Sequence, residues 1–95
     1  MALLFHRLAR IFYRLTMRVL FFAHLQDVTG CAVRELALAA PVTGEQLWAR
    51  LLTDYPGLAS HRANVRLARD WDYADAHTQF TDGDEVALIP PVSGG

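Results

Sequence analysis

The chain has 95 residues, 53% apolar and 20% charged, which fits one small globular domain and excludes a disordered chain. A formal net charge of −1 offers no general basic field for nucleic acid. All nine basic side chains are arginine, which removes Schiff-base and P-loop lysine chemistry; the single cysteine, Cys31, excludes an intrachain disulfide and a cysteine-based zinc cluster and points to a reducing, cytoplasmic compartment.

Residues 1–16 (MALLFHRLARIFYRLT) carry Arg7, Arg10 and Arg14 and no acid. Leu4, Leu8, Ile11 and Leu15 form one helical stripe and the arginines occupy another face. A basic amphipathic helix of this kind suits a membrane surface or a transit peptide, and it is too short and too charged to span a bilayer. The change of character at the internal Met17 favours a different reading, a start site set too far upstream. A helix packed on the domain is the third. Residues 17–95 hold the other six arginines and all ten acids, a net charge of −4.

Residues 18–23 (RVLFFA) read as a strand. Residues 24–29 form a short helical turn, with Gly30 placed to stop it in the left-handed region. Residues 32–39 (AVRELALA) read as a second strand with Val33, Leu36 and Leu38 mostly on one side. Residues 43–54 are the best helix: Thr43 and Gln46 make a capping box, Leu47, Trp48, Leu51 and Leu52 supply the apolar face, and Tyr55-Pro56-Gly57 ends it. Residues 65–69 (VRLAR) alternate, with Val65 and Leu67 on one face, and residues 70–72 suit a turn. Tyr73 and Phe80 belong to short extended pieces. Thr81-Asp82-Gly83-Asp84 is a turn, and residues 85–89 (EVALI) are the last strand, stopped by prolines that cannot donate to a ladder. Alternation sends Val86 and Leu88 to a helix-covered core and Ala87 and Ile89 to the opposite face; Phe21 and Phe22 divide in the same way. The order β-β-α-β-(β)-β predicts an α+β roll, a mixed sheet of four to five strands with one main helix over one face. The plan is an extension (1–16), a domain (17–89) and a tail (90–95).

The tail, Pro90-Pro91-Val92-Ser93-Gly94-Gly95, carries the functional information. Pro90 and Pro91 stiffen the exit from the last strand. Gly94 and Gly95 have no side chains and fit a narrow channel. Six extended residues reach roughly 20 Å, enough to carry a terminal carboxylate into another protein's active site. A carboxylate is a poor acyl donor until it is adenylated.

Residues 18–30 (RVLFFAHLQDVTG), the helix at 43–56 and the end TDGDEVALIPPVSGG (81–95) together resemble the small, sulfur-carrying subunit of molybdopterin synthase, a ubiquitin-like β-grasp family. The resemblance covers residues 17–95 and not 1–16. It departs at Asp70, where the family often has asparagine, and at Trp71. It implies that an adenylating enzyme uses ATP and Mg²⁺ to activate Gly95, that a sulfur donor makes the thiocarboxylate, and that the tail then enters the large subunit. There sulfur passes to cyclic pyranopterin monophosphate in a heterotetramer of two small and two large subunits. Gly95 is then the residue that carries the sulfur, Gly94 lets it through the channel, and the chain itself holds no stable cofactor or metal and contacts no nucleic acid, and no membrane unless the extension at 1–16 is part of the native product. Phe22, Tyr73 and Ile89, if they share the uncovered sheet face, form the apolar patch where the large subunit and the adenylating enzyme dock. The alternatives are a carrier for thiamin or for tRNA thiolation, and a ubiquitin-like protein modifier. The residues read as a carrier and not a catalyst: Ser93 has no base beside it, His24, His61 and His77 lack metal-ligand spacing, Asp82, Asp84 and Glu85 lack a calcium-loop pattern and are turn residues, and Cys31 is given no redox role.

Overall fold

The computed structural model describes residues 16–91. The expectations for residues 1–15 and for Val92, Ser93, Gly94 and Gly95 lie outside the described residues. In chain order the elements are β1 (Met17–Phe21), α1 (Leu25–Thr29), β2 (Val33–Leu36), β3 (Val42–Thr43), α2 (Gly44–Asp54), two 3₁₀ turns (Pro56–Ser60 and Arg62–Asn64), β4 (Arg66–Arg69), β5 (Asp72–Tyr73), β6 (Gln79–Phe80) and β7 (Glu85–Ile89).

Five strands form one sheet in the order β2-β1-β7-β4-β5, and β3 and β6 form a separate two-stranded sheet. β1 runs parallel to β7, with Phe21 opposite Leu88, and the other pairings are antiparallel. The sheet is therefore mixed, and the strand that leads into the tail lies at its centre. Central placement follows from composition: Val86 and Leu88 are fully buried, and a strand apolar on this scale cannot sit at an edge without exposing them. This is the β-grasp architecture.

The core lies between one sheet face and α2. Met17, Val19 and Phe21 of β1, Leu36 of β2, Leu47, Trp48 and Leu51 of α2, and Val86 and Leu88 of β7 pack into one cluster with Leu25, Leu58, Val65 and Phe80. α2 begins where its residues require. The Thr43 hydroxyl accepts from the Gln46 amide at 3.2 Å, and the Gln46 side chain accepts from the Thr43 amide at 2.9 Å. This reciprocal pair satisfies two amides that a helix start leaves orphaned. Gly30 closes α1 at φ 79°, in the left-handed region, and its amide returns to the Gln26 carbonyl.

Three readings from sequence need correction. β1 ends at Phe21, two residues early, because Ala23 takes φ 52° and the Phe22 carbonyl turns to accept from the Leu25 amide. β2 is four residues long rather than eight, and Val33 and Leu36 point to opposite faces. Val33 pairs with Leu20 on the outer face, while Leu36 pairs with Met17 over the core. Leu38 lies beyond the strand, where its amide donates to the Asp82 carboxylate at 2.9 Å. The small β3–β6 sheet carries no periodicity a reader could follow, since each strand has two residues.

Candidate docking face and carrier tail

β7 delivers the tail. It is flanked by β1 on one side and β4 on the other, so the position and direction of its last residue are held on both edges. Ile89 still pairs with Arg66, and Pro90 and Pro91 follow with no amide to continue the ladder.

The sheet face turned away from α2 can be read from the register. Val33, Leu20, Ala87, Ala68 and Tyr73 lie opposite one another on β2, β1, β7, β4 and β5, a single apolar row across all five strands. Toward the start of β7 the next row is charged: Glu35, Arg18 and Glu85, with the Arg18 guanidinium 3.2 Å from the Glu85 carboxylate. Toward the tail the row holds Ile89 and Arg66, and the Arg66 guanidinium lies 3.8 Å from the centroid of the Tyr73 ring. Phe22 follows Phe21 out of the core and is 37% exposed. Tyr73 is 59% exposed, whereas Ala87 and Ala68 sit low in the row and are buried. The division of β7 is as expected, with Val86 and Leu88 in the core and Ala87 and Ile89 opposite. The register places Ile89 and Tyr73 on this face with β4 between their strands, while Phe22 lies just beyond the end of β1 and outside the strand pairing.

The remaining polar candidates have local structural partners. His24 and His61, distant in sequence, come together with ring centroids 5.1 Å apart. His77 instead sits in a turn where its amide donates to the Asp75 carboxylate at 2.8 Å. That bond, with a second from the Thr78 hydroxyl, holds the Asp75 carboxyl below the usual carboxylate range. No group of three or more histidine, cysteine or acidic residues among the described residues is placed to hold a metal ion. Asp82 accepts from Leu38, and Asp84 accepts from the Thr81 amide at 2.9 Å, which closes the turn ahead of β7. Cys31 is half-buried with Sγ 3.6 Å from the Tyr55 hydroxyl, and Tyr55 in turn accepts from Arg34 at 2.9 Å. No helix among the described residues is long and apolar enough to cross a membrane.

A mixed five-stranded sheet with one main helix over one face, whose central strand is followed by two prolines, is a ubiquitin-like arrangement. The chain belongs to the ThiS family, whose model matches residues 19–95. The human protein named "Molybdopterin synthase sulfur carrier subunit" is 35% identical over 80 residues, covering 81% of this chain and 91% of that protein. The protein of the same name from Chlamydomonas reinhardtii is 34% identical, covering 82% and 96%. Among solved structures, SAMP1 from Haloferax volcanii aligns with a TM-score of 0.72 at 28% identity, over 84% of this chain and 99% of that one. A chain from the complex of subunits 1 and 2 of molybdopterin-converting factor from Helicobacter pylori aligns with a TM-score of 0.61 at 25% identity, over 84% and 99%.

Proposed function

We propose that the chain is the sulfur carrier subunit of a molybdopterin synthase, acting in the cytoplasm. The observation that carries this reading is the sequence IPPVSGG leaving the central strand of a β-grasp sheet, in a chain whose relatives bear that name. A carboxylate oxygen of Gly95 attacks the α-phosphorus of Mg·ATP on an adenylating enzyme, and pyrophosphate leaves. A sulfur nucleophile attacks the acyl carbon, AMP leaves, and the thiocarboxylate remains. The tail then enters the large subunit, and the sulfur passes to cyclic pyranopterin monophosphate; two such transfers complete one dithiolene. The carrier contributes reach, a narrow end and a docking face, and the catalytic groups belong to the large subunit, in an assembly of two small and two large subunits.

The geometry supports the division of labour. The Pro-Pro brace starts one residue beyond the pairing of Ile89 with Arg66, so the tail leaves from a held point. Phe22, Ile89 and Tyr73, on the face the helix leaves bare, form the docking surface for the large subunit and for the adenylating enzyme.

The test is intact mass after incubation with the adenylating enzyme, ATP and a sulfur donor. The expected product gains the mass difference of sulfur for oxygen at the C-terminus, and deletion of Gly95 abolishes the gain. An unaltered mass in the full chain, with a family carrier converted in parallel, refutes the reading. Addition of the large subunit and the pyranopterin then separates this pathway from thiamin or tRNA thiolation. The likeness to proteins titled archaeal modifiers favours one second reading, attachment of Gly95 to amines of other proteins. Amide-linked conjugates in place of the thiocarboxylate would support it.

A further inference from the structure

We propose that Trp71 anchors the partner subunit at the far edge of the docking face, seated in an apolar notch with a basic rim. The proposal rests on the docking reading above and extends it to a residue that the resemblance does not assign.

β4 and β5 are joined by a two-residue turn, Asp70 and Trp71, between the paired Arg69 and Asp72. Its φ values are 48° and 74°, both positive. That mirror-image turn matches the twist of the strands, and its undemanding occupants are Asn-Gly or Asp-Gly. A tryptophan in this backbone sets its Cβ against the neighbouring carbonyl, a strained arrangement for a bulky residue.

The fold takes nothing visible in return. Trp71 is 78% exposed and stands outside the core cluster, and its indole makes no ring contact or hydrogen bond among the described residues. A locally unfavourable backbone under one of the chain's two tryptophans, left in water, marks a site of function more than of stability. Tryptophan is the residue type most enriched among energetic anchors of interfaces.

Two observations identify the occupant. Trp71 is two residues from Tyr73, the end of the apolar row, in the same hairpin. A partner that covers Tyr73 therefore reaches the turn. The indole is also flanked in sequence by two exposed acids, Asp70 and Asp72; Glu85, whose carbonyl accepts from the Asp70 amide at 3.0 Å, adds no free charge because its carboxylate is paired with Arg18. A rim that complements these two carboxylates is basic.

The test is Trp71→Gly, which leaves Asp-Gly in the turn. Its thermal midpoint should match or exceed that of the original chain, because strain is removed. Its Kd for the purified large subunit should rise about tenfold or more. A lowered midpoint would overturn the strain argument. A Kd unchanged in Trp71→Gly while Phe22→Asp still weakens binding would sink the anchor and leave the docking face standing. If both variants bind normally, the docking reading fails and the anchor falls with it. Binding by the original chain should also lose more affinity with added salt than binding by Asp70→Asn/Asp72→Asn; equal salt slopes would exclude the basic rim.

Discussion

Tyr73→Ala is the most direct trial of the docking face, because the fold depends on this ring so little. Tyr73 is 59% exposed on a two-residue edge strand. A large aromatic residue presents about 200 Å², so about 120 Å² of Tyr73 remains in water for a partner to cover. At about 25 cal/mol per Å² that area is worth about 3 kcal/mol. Interfaces return less than their area, so about 2 kcal/mol is the working figure, or about thirtyfold in Kd. Against this, the fold loses the contact between the ring and Arg66, a loss of about 0.5–1 kcal/mol at an exposed site. Titration calorimetry with the purified large subunit reads the first number, and urea unfolding of the carrier alone reads the second. The expected pattern is a large fall in affinity beside a small shift in the urea midpoint. A Kd within about threefold of the original, with the midpoint shifted no more than expected, would refute the placement of the partner on this face.

Three further outcomes test the framework. Thr43→Ala removes the hydroxyl that caps α2 and should cost about 1 kcal/mol, lowering the thermal midpoint by about 4–8 °C in a calorimetric scan. Leu88→Ala opens a cavity at the centre of the sheet, where the residue is fully buried, and should cost about 2–5 kcal/mol in urea unfolding, with affinity for the large subunit preserved in the fraction that remains folded. The Asp75 carboxyl is held low first by the His77 amide and then by the Thr78 hydroxyl, so its folded pKa lies below its unfolded one. Its contribution is therefore present above the ordinary carboxylate range and is lost as pH falls through the depressed value; the stability gap between the original chain and Asp75→Ala should be open at neutral pH and closed in strong acid.

What could be read from the residues was what local chemistry writes down. The α2 start was legible because Thr43 and Gln46 interact three residues apart, and the stop of α1 because Gly30 takes a backbone that other residues avoid. The two faces of β7 were legible because pairing on both edges keeps strict alternation over five residues. β2 was misjudged where tertiary partners overrode the pattern: Arg34 occupies a core-side position because Tyr55 and Asp54 accept from its guanidinium at 2.9 and 3.3 Å. That forces Val33 outward, where it begins the apolar row. The row itself could not be anticipated in full, since its members come from five strands whose register depends on long-range pairing. The sequence singles out Phe22, Tyr73 and Ile89 as candidates for this face, and not Leu20 or Val33. The Asp70 turn is present as expected; the resemblance already marks Trp71 as a departure, and the backbone angles add that it sits at positive φ.

The topology also explains why a carrier of this kind would put its chemistry on a tail and its recognition on a sheet. A tail that must thread a narrow channel has to be slender, and a slender peptide buries too little apolar area to choose its partner. Recognition must then come from a surface whose distance to the tail is constant. Edge strands can add contact area, as Tyr73 of β5 does, but pairing on one side leaves them free to fray, so they cannot fix that distance; here β2 and β5 are the edges. β7 is paired on both sides, so Ile89, the last residue before the prolines, is itself part of the apolar face and its distance to Leu20 and Ala68 is set by the ladder. Substitutions that loosen β7 from β4 should therefore slow sulfur delivery even when docking affinity is kept, whereas Tyr73→Ala should weaken docking and leave delivery within the bound complex unchanged. Single-turnover transfer at saturating large subunit separates the two, and equal behaviour of both variants would mean that the face and the tail do not act through the strand that joins them.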